Sequence, residues 1–190
     1  LDELKKRASK TATMDTRKWM SVFFNWAMER EYVDFNPVSG VRSPVKSKPR
    51  ERVLSVEEAR AVWKAAQAEP FPSGSLICLL MLTGARLREI GHAQLSWLNR
   101  TTACLDIPGD SYKTGDPTIV PLIPEAMRIF EAIPKPPKGP YLISSNGGVR
   151  PVWTATPEAL ARIREGAEIE LGRKIDRWTI HDLRRTAATH

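Results

Sequence analysis

Ala103-Cys-Leu-Asp-Ile-Pro-Gly-Asp-Ser-Tyr-Lys-Thr-Gly-Asp-Pro-Thr-Ile-Val-Pro-Leu122 is the one stretch of this chain that reads as successive strands. Residues 103–107, 111–113 and 118–122 are strand-like. The turn clusters Pro108-Gly-Asp110 and Thr114-Gly-Asp-Pro117 separate them. On either side the apolar residues recur every three or four positions, the period of a helix with one buried face. The order is therefore helices, a small antiparallel sheet, then helices. The fold class is α+β, mainly helical.

Upstream, Ser55-Val-Glu-Glu58 is a capping box, with serine and glutamate each able to satisfy a backbone donor at a helix start. Val56, Ala59, Val62, Trp63 and Ala66 then form a buried stripe. A second helix holds the apolar run 76–82 and breaks at Thr83-Gly84, and a third follows through Ala85, Ile90 and Leu95. Downstream, a helix begins near Pro124. Another starts at Thr156-Pro157 and ends at Gly172, a C-cap. The last starts at Thr179, whose hydroxyl can pair with Asp182. Toward the N-terminus, residues 14–31 carry Met14, Trp19, Val22, Phe23, Trp26 and Ala27 at helical spacing, and Trp19, Trp26 and Trp63 read as helix-core residues. Asn36-Pro37 closes that unit, because the residue before a proline is pushed out of the helical region. The Pro-, Ser-, Lys- and Arg-rich stretch after it reads as a linker.

The 190 residues are 42% hydrophobic and 27% charged, a globular composition. No apolar run is long enough to cross a bilayer, and the front of the chain lacks the apolar segment of a secretory signal. With no initiator Met, the natural N-terminus is expected to lie elsewhere. Two cysteines exclude a disulfide framework and a cysteine zinc site, and three scattered histidines offer no metal site. Cys78, inside the apolar run, reads as a core thiol; His92, after Gly91, reads as a locally satisfied histidine. The formal charge is +7, of which residues 1–52 carry +5. A polyanion suits such a surface. Arg42, Lys46, Lys48, Arg50 and Arg52 concentrate the excess, as a DNA-contacting stretch or simply as a solvated linker.

Three segments bear chemistry. In Thr83-Gly-Ala-Arg86-Leu-Arg-Glu89-Ile90, arginine in a helix's first turn is unfavourable unless an anion compensates, and Glu89 lies three residues on, able to hold it. The same spacing also describes an ordinary surface ion pair. In Trp178-Thr-Ile-His181-Asp-Leu-Arg184-Arg185-Thr186, His181 and Arg184 share a helical face, a proton carrier beside a planar fork for phosphate oxygens. A basic face with an incidental histidine has that pattern too. In Tyr112-Lys113-Thr114-Gly115, a turn lysine can reach a leaving oxygen, although most turn lysines are merely solvated.

Taken together, in this order, the segments resemble the tyrosine recombinases of the phage integrase family. The shared motifs are Thr-Gly-x-Arg-x-x-Glu-Ile, a hairpin Lys-Thr-Gly followed by Val-Pro-Leu, and His-Asp-Leu-Arg-Arg-Thr. The resemblance implies that residues 1–37 are the C-terminal part of a helical core-binding domain, 38–52 a basic inter-domain linker, and 53–190 an integrase-type catalytic domain, incomplete at its C-terminus. It assigns Arg86 and Arg184 to the non-bridging oxygens of a scissile phosphate and Lys113 to the 5′ leaving oxygen as general acid. His181 takes proton transfer and a phosphate hydrogen bond; Glu89 orients neighbouring groups. Arg88 and Arg185 match no catalytic position and are left to structure or backbone contacts. The implied partner is double-stranded DNA, without metal or cofactor, because the guanidinium groups and the lysine supply the positive charge. The implied setting is a prokaryotic cytoplasm, at the nucleoid, with the full-length protein tetrameric on DNA and this fragment monomeric. Members of the family continue to a tyrosine that forms a 3′-phosphotyrosyl link. None of Tyr32, Tyr112 and Tyr141 matches that nucleophile, so this chain is expected to be inactive alone. A catalytically inactive DNA-binding regulator and a type IB topoisomerase-like enzyme are the alternatives on the same scaffold.

Overall fold

A computed structural model of the chain describes residues 10–41, 51–111 and 115–190. The chain divides into two compact units, Leu1–Arg50 and Glu51–His190.

The first unit contains one long helix, α1 (Lys10–Glu29). It stops two residues short of the expected end, where Glu31 takes a left-handed conformation and Ala27 O accepts from both Arg30 N and Tyr32 N. Asn36 then folds the chain back onto α1. Its Nδ2 donates to Asn25 Oδ1 (2.6 Å) and Ser21 O (3.1 Å), and its Oδ1 accepts from Val38 N (2.8 Å). The expected core role of Trp19 and Trp26 is corrected: they are 65% and 43% exposed, as are Val22 and Phe23 beside them. The helical period is present, but the returning loop meets α1 at Arg17, Ser21 and Asn25, and the aromatic stripe stays exposed.

The second unit is built around α3 (Ser73–Thr83), whose Leu76, Ile77, Leu79 and Leu80 are all essentially inaccessible. A helix apolar on all sides must be surrounded. α2 (Val56–Ala68), α5 (Pro124–Ala132) and α7 (Ile180–Thr189) pack against it, and α6 (Pro157–Leu171) lies on α2. Cys78 sits within this core, where burial pushes its thiol up to about 12, with Glu125 adding to the effect. Trp63 is partly buried against the same core. The capping box of α2 forms as the sequence implies, Glu58 N donating to Ser55 Oγ (3.2 Å) and Ser55 N to Glu58 Oε2 (2.9 Å). The caps at Thr156 and Gly172 on α6 form as well.

Two expectations fail. The third helix does not run to Leu95: α4 spans only Leu87–Gly91, and Leu95–Trp97 is a separate 3₁₀ turn. Ser111 is not in a strand but closes the 3₁₀ turn Gly109–Ser111, while Tyr112 and Lys113 lie outside the described residues. The sheet has three antiparallel strands in the order β1 (Leu98–Asn99), β2 (Cys104–Ile107), β3 (Thr118–Pro121). β1 pairs Leu98 with Leu105, and β2 pairs Leu105 with Val120. That row of three apolar residues is turned into the core. Pro-Tyr-Leu-Ile at 140–143 is a bent segment rather than a strand, and it meets the rest of the unit through the isolated bridge of Tyr141 to Gln94.

Candidate functional site

The turn after α3 is shaped for delivering a side chain. Thr83 Oγ1 donates to Leu79 O (2.7 Å) and accepts from Ala85 N (3.2 Å). Gly84 takes the left-handed conformation (φ 59°) that ends α3, a position where any other residue would be strained. Ala85 is buried and Arg86 becomes the N-cap of α4. Its side chain is 61% exposed but tethered from below by Glu89, 4% exposed. The Glu89 carboxylate accepts from Arg86 N (2.6 Å) through one oxygen and from Arg86 Nη1 (2.9 Å) through the other. The pair that the sequence left open as a surface ion pair is thus a buried carboxylate holding an exposed guanidinium.

α7 is set by a second buried carboxylate. Asp182, 1% exposed, accepts from Thr179 N (2.9 Å) and Thr179 Oγ1 (2.8 Å). The far end of α7 is clipped to the start of the unit: Leu54 N donates to Thr186 Oγ1 (3.0 Å), and His190 Nε2 lies 3.1 Å from Leu54 O. Held at both ends, α7 directs His181 and Arg184 to one side. Arg184 Nη1 donates to Gly84 O (2.6 Å), tying α7 to the turn that carries Arg86.

Arg86, His181 and Arg184 consequently line one cleft of about 400 Å³, with Leu80, Ala85, Leu87 and Ile180 as its apolar lining. Arg88, which sequence reasoning set aside, lines it too. Its place was not legible because α4 is too short for a period to establish which residues share a face. Four cationic or protonatable groups over an apolar floor suit a phosphodiester, whose oxygens take N–H donors in a setting that strengthens them. Lys113, Arg42, Lys46, Lys48 and Arg50 lie outside the described residues. Arg52 is turned inward: its Nη2 donates to Glu58 Oε2 (2.8 Å) and its Nη1 to Val53 O (2.9 Å), so it braces the start of α2. Burial raises the Glu58 carboxyl, but the hydrogen bonds from Arg52 and Ser55 N and the charges of Arg52 and Arg173 outweigh it, and the net shift is downward.

His92 departs from its expected reading as a hydrogen-bonded local histidine. Its Nε2 is buried with no hydrogen-bond partner among the described residues. The ring packs instead edge-on against Trp153 (centroids 4.5 Å, 85°) and Tyr141 (6.4 Å, 74°). Burial, with help from the Arg88 charge, lowers its pKa and favours the neutral ring. Tyr141 does not line the cleft. No group of three His, Cys, Asp or Glu among the described residues could hold a metal, and no described helix is long and apolar enough to cross a membrane.

The family model described as the phage integrase family matches residues 52–190. Prophage integrase IntZ of Escherichia coli (strain K12) is 26% identical over 130 residues, which are 67% of this chain and 32% of that protein. The chain therefore spans about a third of that relative's length. Among solved structures, the lambda integrase tetramer bound to a Holliday junction aligns with a TM-score of 0.68 at 19% identity, over 99% of this chain and 56% of that one. The Tn1549 transposon integrase in complex with circular intermediate DNA gives 0.68 at 17% identity, over 98% and 68%. At these identities the likeness is one of fold.

Proposed function

The chain belongs to the phage integrase family, and on that premise we propose that it is the DNA-cutting part of a site-specific tyrosine recombinase. The parent protein breaks and rejoins duplex DNA. A tyrosine oxygen attacks the scissile phosphorus, the bond to the 5′ oxygen breaks, and a 3′-phosphotyrosyl link is left. Arg86 and Arg184 neutralise the non-bridging oxygens as charge builds on them. His181 hydrogen-bonds the phosphate and assists proton transfer, Lys113 protonates the departing 5′ oxygen, and Glu89 keeps Arg86 in place. Phosphoryl transfer needs chiefly this positioning and charge compensation.

The observation that carries the reading is the convergence of Arg86, His181 and Arg184 on one cleft from two helices far apart in the chain, α4 and α7. In this reading residues 1–37 belong to a core-binding domain, 38–52 form the linker that crosses the DNA backbone, and 53–190 the catalytic domain. The basic contacts come from Arg42, Lys46, Lys48 and Arg50, with Arg52 committed to Glu58. The lambda integrase structures on DNA, a dimer and a tetramer among them, support duplex DNA as partner and a tetramer as the working assembly of the parent. The site of action is the nucleoid of a prokaryotic cell.

The test begins at the DNA beyond the His190 codon. A frame that continues to a tyrosine, encoding a protein that is trapped covalently on nicked duplex DNA, supports the reading. Arg184→Ala is then expected to slow adduct formation about 10²–10³-fold, the usual cost of one preorganised donor. An undiminished rate in that variant overturns the role assigned to Arg184.

A further inference from the structure

We propose that Arg88 and Trp153 form a rigid contact surface at the rim of the cleft for the sugar-phosphate backbone of the same DNA strand, away from the phosphate held by Arg86 and Arg184. The inference rests on the recombinase reading and extends its site. Arg100 and Arg162 elsewhere on this unit face carboxylates, Glu131 and Glu69. Arg88 instead lies over an indole, its guanidinium 5.2 Å from the centre of the Trp153 ring. An arginine that lies over an aromatic ring can still offer its N–H groups to phosphate oxygens.

Trp153 is 59% exposed but has neighbours on its ring. The edge-on contact with His92 supports one side of the ring, and Arg88 lies over it. The chain beside it is pinned to α4: Val152 N donates to both Gly91 O and Ile143 O (3.2 Å each). Gly91 is required for this approach, since a Cβ there would collide with the Val152 carbonyl oxygen. Burial first and the Arg88 charge second lower the His92 pKa, which disfavours a charge on the ring beside Arg88. An exposed tryptophan that packs on His92, next to a cation that lines the phosphate cleft, has less side-chain freedom to lose on binding, which favours it.

The occupant follows from chemistry. In duplex DNA the base faces are stacked inside, so the strand offers an indole the C–H face of a deoxyribose, and offers the guanidinium the neighbouring phosphate. A single strand would offer base faces, on which the same ring would stack.

The test measures binding of the 190-residue chain to a labelled duplex by anisotropy across a salt series. Trp153→Ala is expected to weaken binding about fivefold with the salt slope unchanged, while Trp153→Phe retains most of the affinity. Arg88→Ala is expected to weaken binding and to reduce the slope of log K against log salt by about 0.9, the signature of one lost phosphate contact. Both side chains are exposed, so an unchanged melting temperature accompanies these losses. If Arg86→Ala and Arg184→Ala weaken binding but Trp153→Ala and Arg88→Ala do not, the rim surface is wrong and the recombinase reading stands. If the wild-type chain does not bind duplex DNA even at low salt, or if Arg86→Ala and Arg184→Ala leave binding untouched, both fall. A loss in Trp153→Ala confined to single-stranded DNA overturns the proposed occupant.

Discussion

α4 and α7 bring the charged side chains to the cleft, and each starts with a buried carboxylate at its third helical position, Glu89 in one and Asp182 in the other. The two carboxylates do different work. Asp182 accepts from the backbone and hydroxyl of Thr179, so it stabilises the helix and leaves Arg184 to be held by a neutral carbonyl, Gly84 O. Glu89 accepts from the backbone of Arg86 and from its guanidinium, so one group caps the helix and restrains the cleft's own cation. One arginine is therefore positioned by a countercharge and the other by a dipole. The difference teaches that Arg86 gives up some of its pull on an anion for a fixed pose, whereas the contact that holds Arg184 leaves its charge uncompensated, as the proposed hold on a phosphate requires.

The largest effect expected from this contrast is on Arg184→Lys. A lysine keeps the charge but loses the planar fork that reaches Gly84 O and phosphate together, and adduct formation in the tyrosine-containing protein should fall about 100-fold. A Lys variant near the wild-type rate would mean that charge alone matters there, and the contrast between the arginines would collapse. Asp182→Ala comes next. Removing a buried cap strands the Thr179 N–H and should lower unfolding stability by about 2 kcal/mol, measured by urea denaturation. A loss below a few tenths would show that packing, not the carboxylate, sets the start of α7.

Glu89→Gln is expected to be milder. The amide can still accept from Arg86 N, but the countercharge is gone. Stability should fall by about 1 kcal/mol and adduct formation by about tenfold, as a catalytic group loses its pose. Duplex affinity should not drop, since Arg86 then carries an uncompensated charge. Weaker binding by this variant would show that pose limits affinity as well as rate.

The smallest effect sharpens the comparison with a cap remote from the cleft. Glu58 at the start of α2 has a pKa lowered in the folded state, because the Arg52 and Ser55 hydrogen bonds overcome the upward push of burial. A carboxylate with a depressed folded pKa contributes stability above its unfolded pKa, near 4.5, and that contribution is lost as pH falls through the folded value. Glu58→Gln should therefore narrow the gap in melting temperature between pH 7 and pH 3 relative to wild type. An identical gap in both proteins would remove Glu58 as a source of the acid sensitivity.

Local chemistry was legible where it acts over three or four residues. Ser55 with Glu58, Thr156, Gly172, and Thr179 with Asp182 all cap as their spacing implies, since a side chain and the backbone three residues on meet whenever a helix starts. The short elements were not legible. α4 has five residues and β1 two, too few for a period, and β1 exists because β2 offers Leu105 and Cys104 as partners. The Trp19 and Trp26 stripe misled for a different reason: periodicity reports an apolar face, not what covers it. Arg52 read as linker charge because nothing in a Pro- and Lys-rich stretch reveals that its guanidinium folds back onto Glu58.

By itself the sequence determined the helical and strand classes, the helix caps, and the set of residue types able to handle a phosphate, since these depend on neighbours along the chain. The tertiary structure alone decided that Arg184 closes on Gly84 O, that Arg88 joins the cleft, and that Trp153 rests on His92. Those contacts join residues on separate elements, and their geometry is set by how α4 and α7 are held against the core around α3, which no local spacing encodes.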